Sequence, residues 1–177
     1  MNMNIKSQIR TVPHYPRQGI MFRDITTLLK DPVGFRMMIQ EIVNRYSEQK
    51  IDKVAGIESR GFIVGAPVAY SLGVGFVPIR KKGKLPAAAI GHDYELEYGH
   101  DRIEIHVDAI APGDRVLLLD DLVATGGTAE AASQLIGKMG GTVVECCFVI
   151  DLPDIGGRRR LEKQGLKVFS LCEFEGE

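Results

Sequence analysis

The chain reads as an α/β fold: a single domain, residues 1–177, built on a parallel sheet with helices on both faces. Three observations point there. Short aliphatic runs recur at residues 53–57, 74–79, 116–119 and 142–150, as in strands covered on both faces of a sheet. Helical patterns separate most of them, and strands alternating with helices imply parallel connections. The turns after residues 57, 79 and 119 carry charged residues or glycines, and such sheets bind ligands at the carboxyl ends of their strands. These three turns are therefore expected to share one crevice.

From the start, residues up to about 18 read as a short helix and an extended arm containing Pro13 and Pro16, and 19–26 as an irregular segment. Asp31-Pro32 then opens a helix, with Asp as N-cap and Pro in the first turn. Phe35, Met38, Ile39, Ile42, Val43 and Tyr46 recur at helical spacing and give its core face. The strand at 53–57 ends in Glu58-Ser59-Arg60-Gly61-Phe62, before a small-residue helix at 63–72. The strand at 74–79 runs into Arg80-Lys81-Lys82-Gly83-Lys84. Residues 85–100 show no clear period and read as a structureless connection of the length that usually has a function. Ile103, Ile105 and Val107 alternate with Glu104 and His106, as on a half-exposed strand. Arg158-Arg159-Arg160 and Glu162 share a helix and read as a solvated face or a dimer contact.

Residues 115–132 organise the rest. An unbroken aliphatic run ends in Asp120-Asp121. A small turn with Gly126-Gly127 follows, then a helical pattern at 129–139 that stops at Gly140-Gly141. Strand, small-residue turn and helix place backbone N–H groups and a helix N-terminus around an anion. The two glycines clear room for a phosphate, and Thr125 and Thr128 can donate to it. No Lys follows the glycines and the G-x-G-x-x-G spacing is absent, so neither common nucleotide loop fits. Paired carboxylates beside a phosphate need donors of another kind, and vicinal sugar hydroxyls suit them. The alternative is a helix-capping turn, with Asp and Thr satisfying backbone donors.

Composition excludes several classes. Hydrophobic residues make up 45% and charged residues 25% of the chain, with a net charge of −1, so nothing favours nucleic acid or a membrane surface. Neither a long apolar span nor a signal-peptide pattern is present. Cys146, Cys147 and Cys172 read as buried, reduced thiols of a cytoplasmic protein. His14, His92, His100 and His106 have neither metal-ligand nor triad spacing, and no metal-binding side-chain set is expected.

The string VLLLDDLVATGGT resembles the phosphoribosyl pyrophosphate signature of the type I phosphoribosyltransferases. Met21-Phe22-Arg23-Asp24-Ile25, the RKKGKLP run from Arg80 and the Tyr94–Gly99 segment resemble its adenine-using branch. The likeness extends over about residues 12–174. It implies a Rossmann-like, single-domain fold with a small base-binding hood (about 1–30 and 151–165) and a flexible lid loop (about 85–100). It implies that Asp120, Asp121, Ala124, Thr125, Gly126, Gly127 and Thr128 hold the ribose and its 5′-phosphate. Ser59, Arg60, Gly61, Arg80 and Lys84 would hold pyrophosphate, with Arg60 and Lys84 also counted as catalytic. Met21 and Arg23 would meet adenine through the main chain, with Phe22 stacked on one face of the base and Leu152 on the other. Glu97 falls on the position proposed to exchange a proton with the purine. The implied reaction joins adenine and phosphoribosyl pyrophosphate into AMP and pyrophosphate, with Mg2+ carried mainly on the phosphoribosyl pyrophosphate, in a cytoplasmic homodimer. The alternatives are another purine (hypoxanthine, guanine or xanthine) or a non-enzymatic sensor of phosphoribosyl pyrophosphate. One departure stands out: Pro86-Ala87-Ala88-Ala89-Ile90-Gly91 replaces the Gly-Pro-Thr run usual at the start of the lid.

Overall fold

A computed structural model describes residues 4–96 and 99–176. A 3-10 turn, Ile5–Gln8, leads into an antiparallel ribbon of β1 (Arg10–Pro13) and β2 (Met21–Asp24), with Val12 opposite Phe22. Residues 19–26 are thus not irregular as expected. Their ladder partners lie on the earlier arm, and no local pattern announces that pairing. Asp24 ties the ribbon to α1 (Thr26–Lys30): one carboxylate oxygen accepts from the Thr26 amide at 2.9 Å and the other from Arg10. These partners, Arg10 first, hold the Asp24 carboxyl at about 2. In α2 (Pro32–Tyr46) the expected N-cap is present, Asp31 accepting from the Gly34 amide at 2.7 Å.

The central sheet follows: β3 (Lys53–Ile57), α3 (Arg60–Leu72), β4 (Gly75–Lys81), β5 (Ala89–Leu96), β6 (Gly99–His106), β7 (Arg115–Val123), α4 (Gly127–Lys138), β8 (Thr142–Asp151), α5 (Gly157–Glu162) and β9 (Val168–Glu173). The strand order is β5-β6-β4-β3-β7-β8-β9. The five strands from β4 to β9 are parallel, while β6 joins β4 antiparallel through Arg80 opposite Glu104. The expected parallel sheet therefore forms its larger part, with an antiparallel hairpin at one edge.

That hairpin corrects the reading of residues 85–100 as structureless. β5 and β6 pair from Ala89 opposite His106 to Leu96 opposite Gly99. Its outer half is polar and shows no hydrophobic alternation, so the strands are legible only through cross-strand pairing, such as Asp93 with Arg102 at 3.0 Å. The alternation at Ile103 and Ile105 does mark the root, where both are buried.

Side chains alternate across a strand, and β7 shows why its run is aliphatic throughout. Val116 and Leu118 face a core shared with Leu135 and Ile136 of α4. Leu117 and Leu119 face one shared with Met38, Ile42, Val64 and Val68 of α2 and α3. Removing one such side chain down to Ala costs roughly 2–5 kcal/mol. At the amino end of β8, Glu145 accepts twice from Arg45 (2.9 Å each) and from the Tyr46 hydroxyl (2.7 Å). Burial pushes its carboxyl up, but Arg45 and Tyr46 bring it below the usual range. Cys146 and Cys147 are buried free thiols, pushed up to about 12 by that burial.

The basic run on α5 is solvated at Arg159 and Arg160, as expected, while Arg158 is half-buried among acidic partners. Arg158 reaches Asp151 (3.5 Å), Glu162 (3.1 Å) and Glu173 (3.3 Å), and Arg160 pairs with Glu130 of α4 at 2.5 Å. Arg158 ties α5 to β8 and β9, and Arg160 ties it to α4; Arg159 is exposed. No helix among the described residues is long and apolar enough to cross a membrane.

Candidate active site

Three strand ends open on one crevice of about 560 Å3, as their turn chemistry predicts. Ser59 and Arg60 line it from the β3 turn, Lys84 from the β4 turn, and Asp120 and Asp121 from β7. Gly61 lies behind the lining. A Cβ there would stand 2.9 Å from the Leu119 carbonyl oxygen and 3.1 Å from an Asp120 carboxylate oxygen, so α3 packs on the end of β7 only because residue 61 has no side chain.

A smaller cavity of about 120 Å3 adjoins the first, lined by Asp120, Ala124, Thr125, Gly126 and Thr128 among others. Gly126 adopts φ 80° as N-cap of α4, and no side chain caps that helix. The acid pair does not cap α4: Asp120 accepts from the backbone amide of Asp121 at 2.9 Å, and Asp121 accepts from Arg60. The first amides of α4 have no partner within the helix, and its positive end faces the cavity, an arrangement suited to a phosphate. Gly127, the first residue of α4, is buried beneath the hairpin, and a Cβ on it would stand 3.5 Å from the Glu95 carbonyl oxygen.

The turn has a buttress that the sequence reading missed. The Gly157 amide donates to the Ala124 carbonyl at 2.8 Å. A Cβ on Gly157 would meet that carbonyl and stand 2.7 Å from the Gly126 nitrogen. The glycine pair at 156–157 was the one available signal, and it reads equally well as an ordinary loop.

The acid pair behaves as two adjacent carboxylates must. Burial, then the neighbouring Asp121 charge, raise the Asp120 carboxyl well above its ordinary range. Hydroxyl donors or a cation arriving beside it would relieve that cost.

Around the pyrophosphate turn the charges are mutually paired. Glu58, also missed, accepts from Arg80 (3.1 and 3.3 Å) and lies 3.3 Å from the Lys84 ammonium. Lys81 pairs at 3.1 Å with Asp101 of the hairpin, to which Tyr94 donates at 3.3 Å. Lys81, Tyr94 and Asp101 all line the crevice. Lys81 belongs to the basic run expected there, whereas Asp101 carried no signal, because hairpin pairing alone brings it opposite Tyr94.

The base segment meets this turn. The Arg60 guanidinium carbon lies 5.8 Å from the centre of the Phe22 ring, whose edge also packs against Tyr15 at 5.2 Å. Arg23 sends its side chain away, donating to Thr11 (2.6 Å) and the Glu175 carbonyl (3.0 Å) and lying over Phe174. Any part Arg23 plays at a base therefore falls to its main chain. β2 has one strand neighbour, β1, so its other backbone edge is outside the ladder. Leu152 is buried in the cluster that includes Leu122, Ala124 and Ile155. Glu97 lies outside the described residues, between the hairpin's closing pair of Leu96 and Gly99.

A model of the phosphoribosyl transferase domain matches residues 27–173, and the chain belongs to that family. Its relatives narrow the likeness. The chain is 79% identical over 174 residues to the adenine phosphoribosyltransferase of Nitrosospira multiformis, covering 98% of this chain and 99% of that one. It is 71% identical over 173 residues to that of Nitrosomonas europaea, with the same coverage of 98% and 99%. Among solved structures, adenine phosphoribosyltransferase from Thermoanaerobacter pseudethanolicus superposes with a TM-score of 0.92 at 47% identity, over 96% of this chain and 98% of that one. The Saccharomyces cerevisiae enzyme, solved with an imino-altritol bisphosphate and adenine, gives 0.89 at 39% identity, over 95% and 96%.

Proposed function

We propose that the chain transfers the 5-phosphoribosyl group of phosphoribosyl pyrophosphate to adenine, forming AMP and releasing pyrophosphate. The observation that carries this reading is the joining, in one crevice, of an uncapped helix N-terminus behind Gly126, a carboxylate pair, and cations on two further strand ends. The 5′-phosphate sits on the turn from Ala124 to Thr128, and the ribose hydroxyls donate to Asp120 and Asp121. Pyrophosphate leaves against Ser59, Arg60 and Lys84, with Gly61 and Arg80 completing its site from behind the lining. The sugar becomes cationic as the bond to pyrophosphate breaks, so the chain's task is to align the partners and stabilise the departing charge. Arg60 suits this, since its planar fork can hold two phosphate oxygens.

Magnesium would be carried mainly on phosphoribosyl pyrophosphate. Among the described residues no three His, Cys, Asp or Glu side chains converge as a metal site, and Asp121 is already engaged by Arg60. Bound with the substrate, the ion would supply Lewis-acid neutralisation of the leaving group, and Asp120 is the crevice carboxylate that could face it. Residues 1–30 and 151–165 form the hood over the base and residues 85–100 the lid, which excludes water from the reactive sugar. Glu97, at the lid tip, takes the proton that adenine sheds. The active form is a cytoplasmic homodimer. An open groove between α2 and α3, lined by Phe35, Ile39, Val43 and Pro67, is a surface a second copy can cover.

Main-chain recognition of adenine predicts strong rejection of 6-oxopurines, which cannot donate from that position. Discrimination of about 10⁴ is attainable at such polar sites. Incubating the protein with radiolabelled adenine or hypoxanthine, phosphoribosyl pyrophosphate and magnesium tests the reading. AMP formation with poor use of hypoxanthine is expected, and comparable kcat/KM for hypoxanthine would overturn the adenine assignment. Glu97→Gln is expected to lower kcat strongly while changing KM for phosphoribosyl pyrophosphate by only about threefold or less.

A further inference from the structure

Arg80, Lys81 and Lys84 crowd three cations at the end of one strand. Like charges so close repel, and long basic side chains are conformationally free unless something anchors them. Lys84 is 53% exposed and Arg80 33%, whereas Glu58 is only 12% exposed. We propose that Glu58 is a positioning residue for pyrophosphate: its carboxylate anchors Arg80 and Lys84 so that both are aligned toward the leaving group. This rests on the assignment of those two cations to pyrophosphate.

The geometry of the carboxylate is that of an anchor. One oxygen accepts from Arg80 Nη2 (3.1 Å) and lies 3.3 Å from Lys84 Nζ. The other accepts from Arg80 Nε (3.3 Å) and from the Lys81 amide (3.0 Å). Arg80 in turn donates from Nη1 to the Lys84 carbonyl at 3.1 Å. One carboxylate thus fixes a guanidinium, an ammonium and the backbone of the turn that carries them. Burial pushes the Glu58 carboxyl up, but the bonds from Arg80, the Lys81 amide and Lys84 outweigh it and hold it at about 2. The anchor is therefore charged throughout the range in which enzymes of this kind work. The other cations of the crevice have separate partners, Asp101 for Lys81 and Asp121 for Arg60.

A carboxylate that merely opposed the ligand would have the opposite effect when neutralised, tightening pyrophosphate. The sign of one measurement therefore decides. In the reverse reaction, from AMP and pyrophosphate, Glu58→Gln is expected to raise KM for pyrophosphate about tenfold, the scale of a hydrogen bond to a charged group. KM for AMP should stay within about twofold. In the forward direction, KM for phosphoribosyl pyrophosphate should rise and that for adenine should not. Glu58→Asp, which keeps the charge on a shorter stem, should fall between wild type and Glu58→Gln and remains testable if the amide variant folds poorly. In an Arg80→Ala/Lys84→Ala background, Glu58→Gln should add less than about twofold, because the groups it orients are gone. An unchanged or lowered KM for pyrophosphate in Glu58→Gln, an Asp variant as impaired as the amide, or full multiplicativity with the double substitution would overturn the proposal. If Arg80→Ala/Lys84→Ala itself leaves KM for pyrophosphate unchanged, the underlying assignment of the cations fails instead.

Discussion

The two turns that frame the crevice share one topology and use different physics. In each, a buried parallel strand gives way to a short turn and a helix whose N-cap makes no side-chain hydrogen bond. After β7 the site is made of backbone and of missing side chains: Gly126 at positive φ, with Gly157 packed directly against the turn. After β3 it is made of charge, with Arg60 paired to Asp121, and Arg80 and Lys84 paired to Glu58. The first kind should be sensitive to volume and indifferent to salt. The second should respond to charge and ionic strength, and is sensitive to volume only at Gly61, where α3 packs on β7.

Predictions that would break or sharpen this contrast run from large to small. Gly157→Ala places a methyl group against the Ala124 carbonyl and the Gly126 amide, which are backbone and cannot swing aside. It should lower kcat/KM for phosphoribosyl pyrophosphate by about 10²-fold or more, with roughly 1–3 kcal/mol of stability lost to overpacking. Wild-type kinetics in this variant would show that the turn is less constrained than its contacts imply.

Next in size are the carboxylates. Asp121→Asn loses an acceptor for the sugar and the partner of Arg60, and KM for phosphoribosyl pyrophosphate should rise roughly 10–100-fold. Asp120→Asn should also weaken sugar binding, yet it should not destabilise the protein. The sign follows from linkage. The Asp120 carboxyl is raised in the folded chain above its ordinary 3.8, so folding favours the protonated form, an advantage lost as pH rises through the folded value. Without added substrate, Asp120→Asn should thus melt at or above the wild-type temperature at pH 7, and the difference should vanish near pH 3. A lower melting temperature at pH 7 would mean that the carboxylate does structural work.

Ionic strength separates the two turns more gently. Between about 0.05 and 0.5 M salt, KM for pyrophosphate should rise several-fold through screening of half-exposed cations. Competitive inhibition by ribose 5-phosphate should change less, since backbone amides supply much of its cradle. Equal salt slopes would erase the distinction.

The smallest kinetic effect should come from Glu145→Gln, at the far end of the sheet. Losing the charge that Arg45 and Tyr46 satisfy should cost about 1–3 kcal/mol in urea unfolding, with KM values unchanged.

By itself the sequence determined the parallel sheet, its strand ends and the phosphate turn. Each is written in neighbouring residues: an aliphatic run covered on both faces, an Asp31-Pro32 helix start, and glycines where a turn leaves room for an anion. Tertiary structure decided the rest. Residues 21–24 became a strand only by pairing with the arm before them, and 89–96 and 99–106 formed a hairpin only through cross-strand partners. β9, which the sequence reading did not single out, joins the sheet only at the edge of β8. Arg158 of α5 turned toward the sheet because Asp151 and Glu173 stand there, and Arg160 found Glu130 of α4. Glu58 found Arg80, and Gly157 found Ala124, across stretches of chain that no local pattern links. Periodicity and turn chemistry act between near neighbours and are legible in one dimension. Charge pairing and backbone-to-backbone packing act between residues that only the folded sheet brings together.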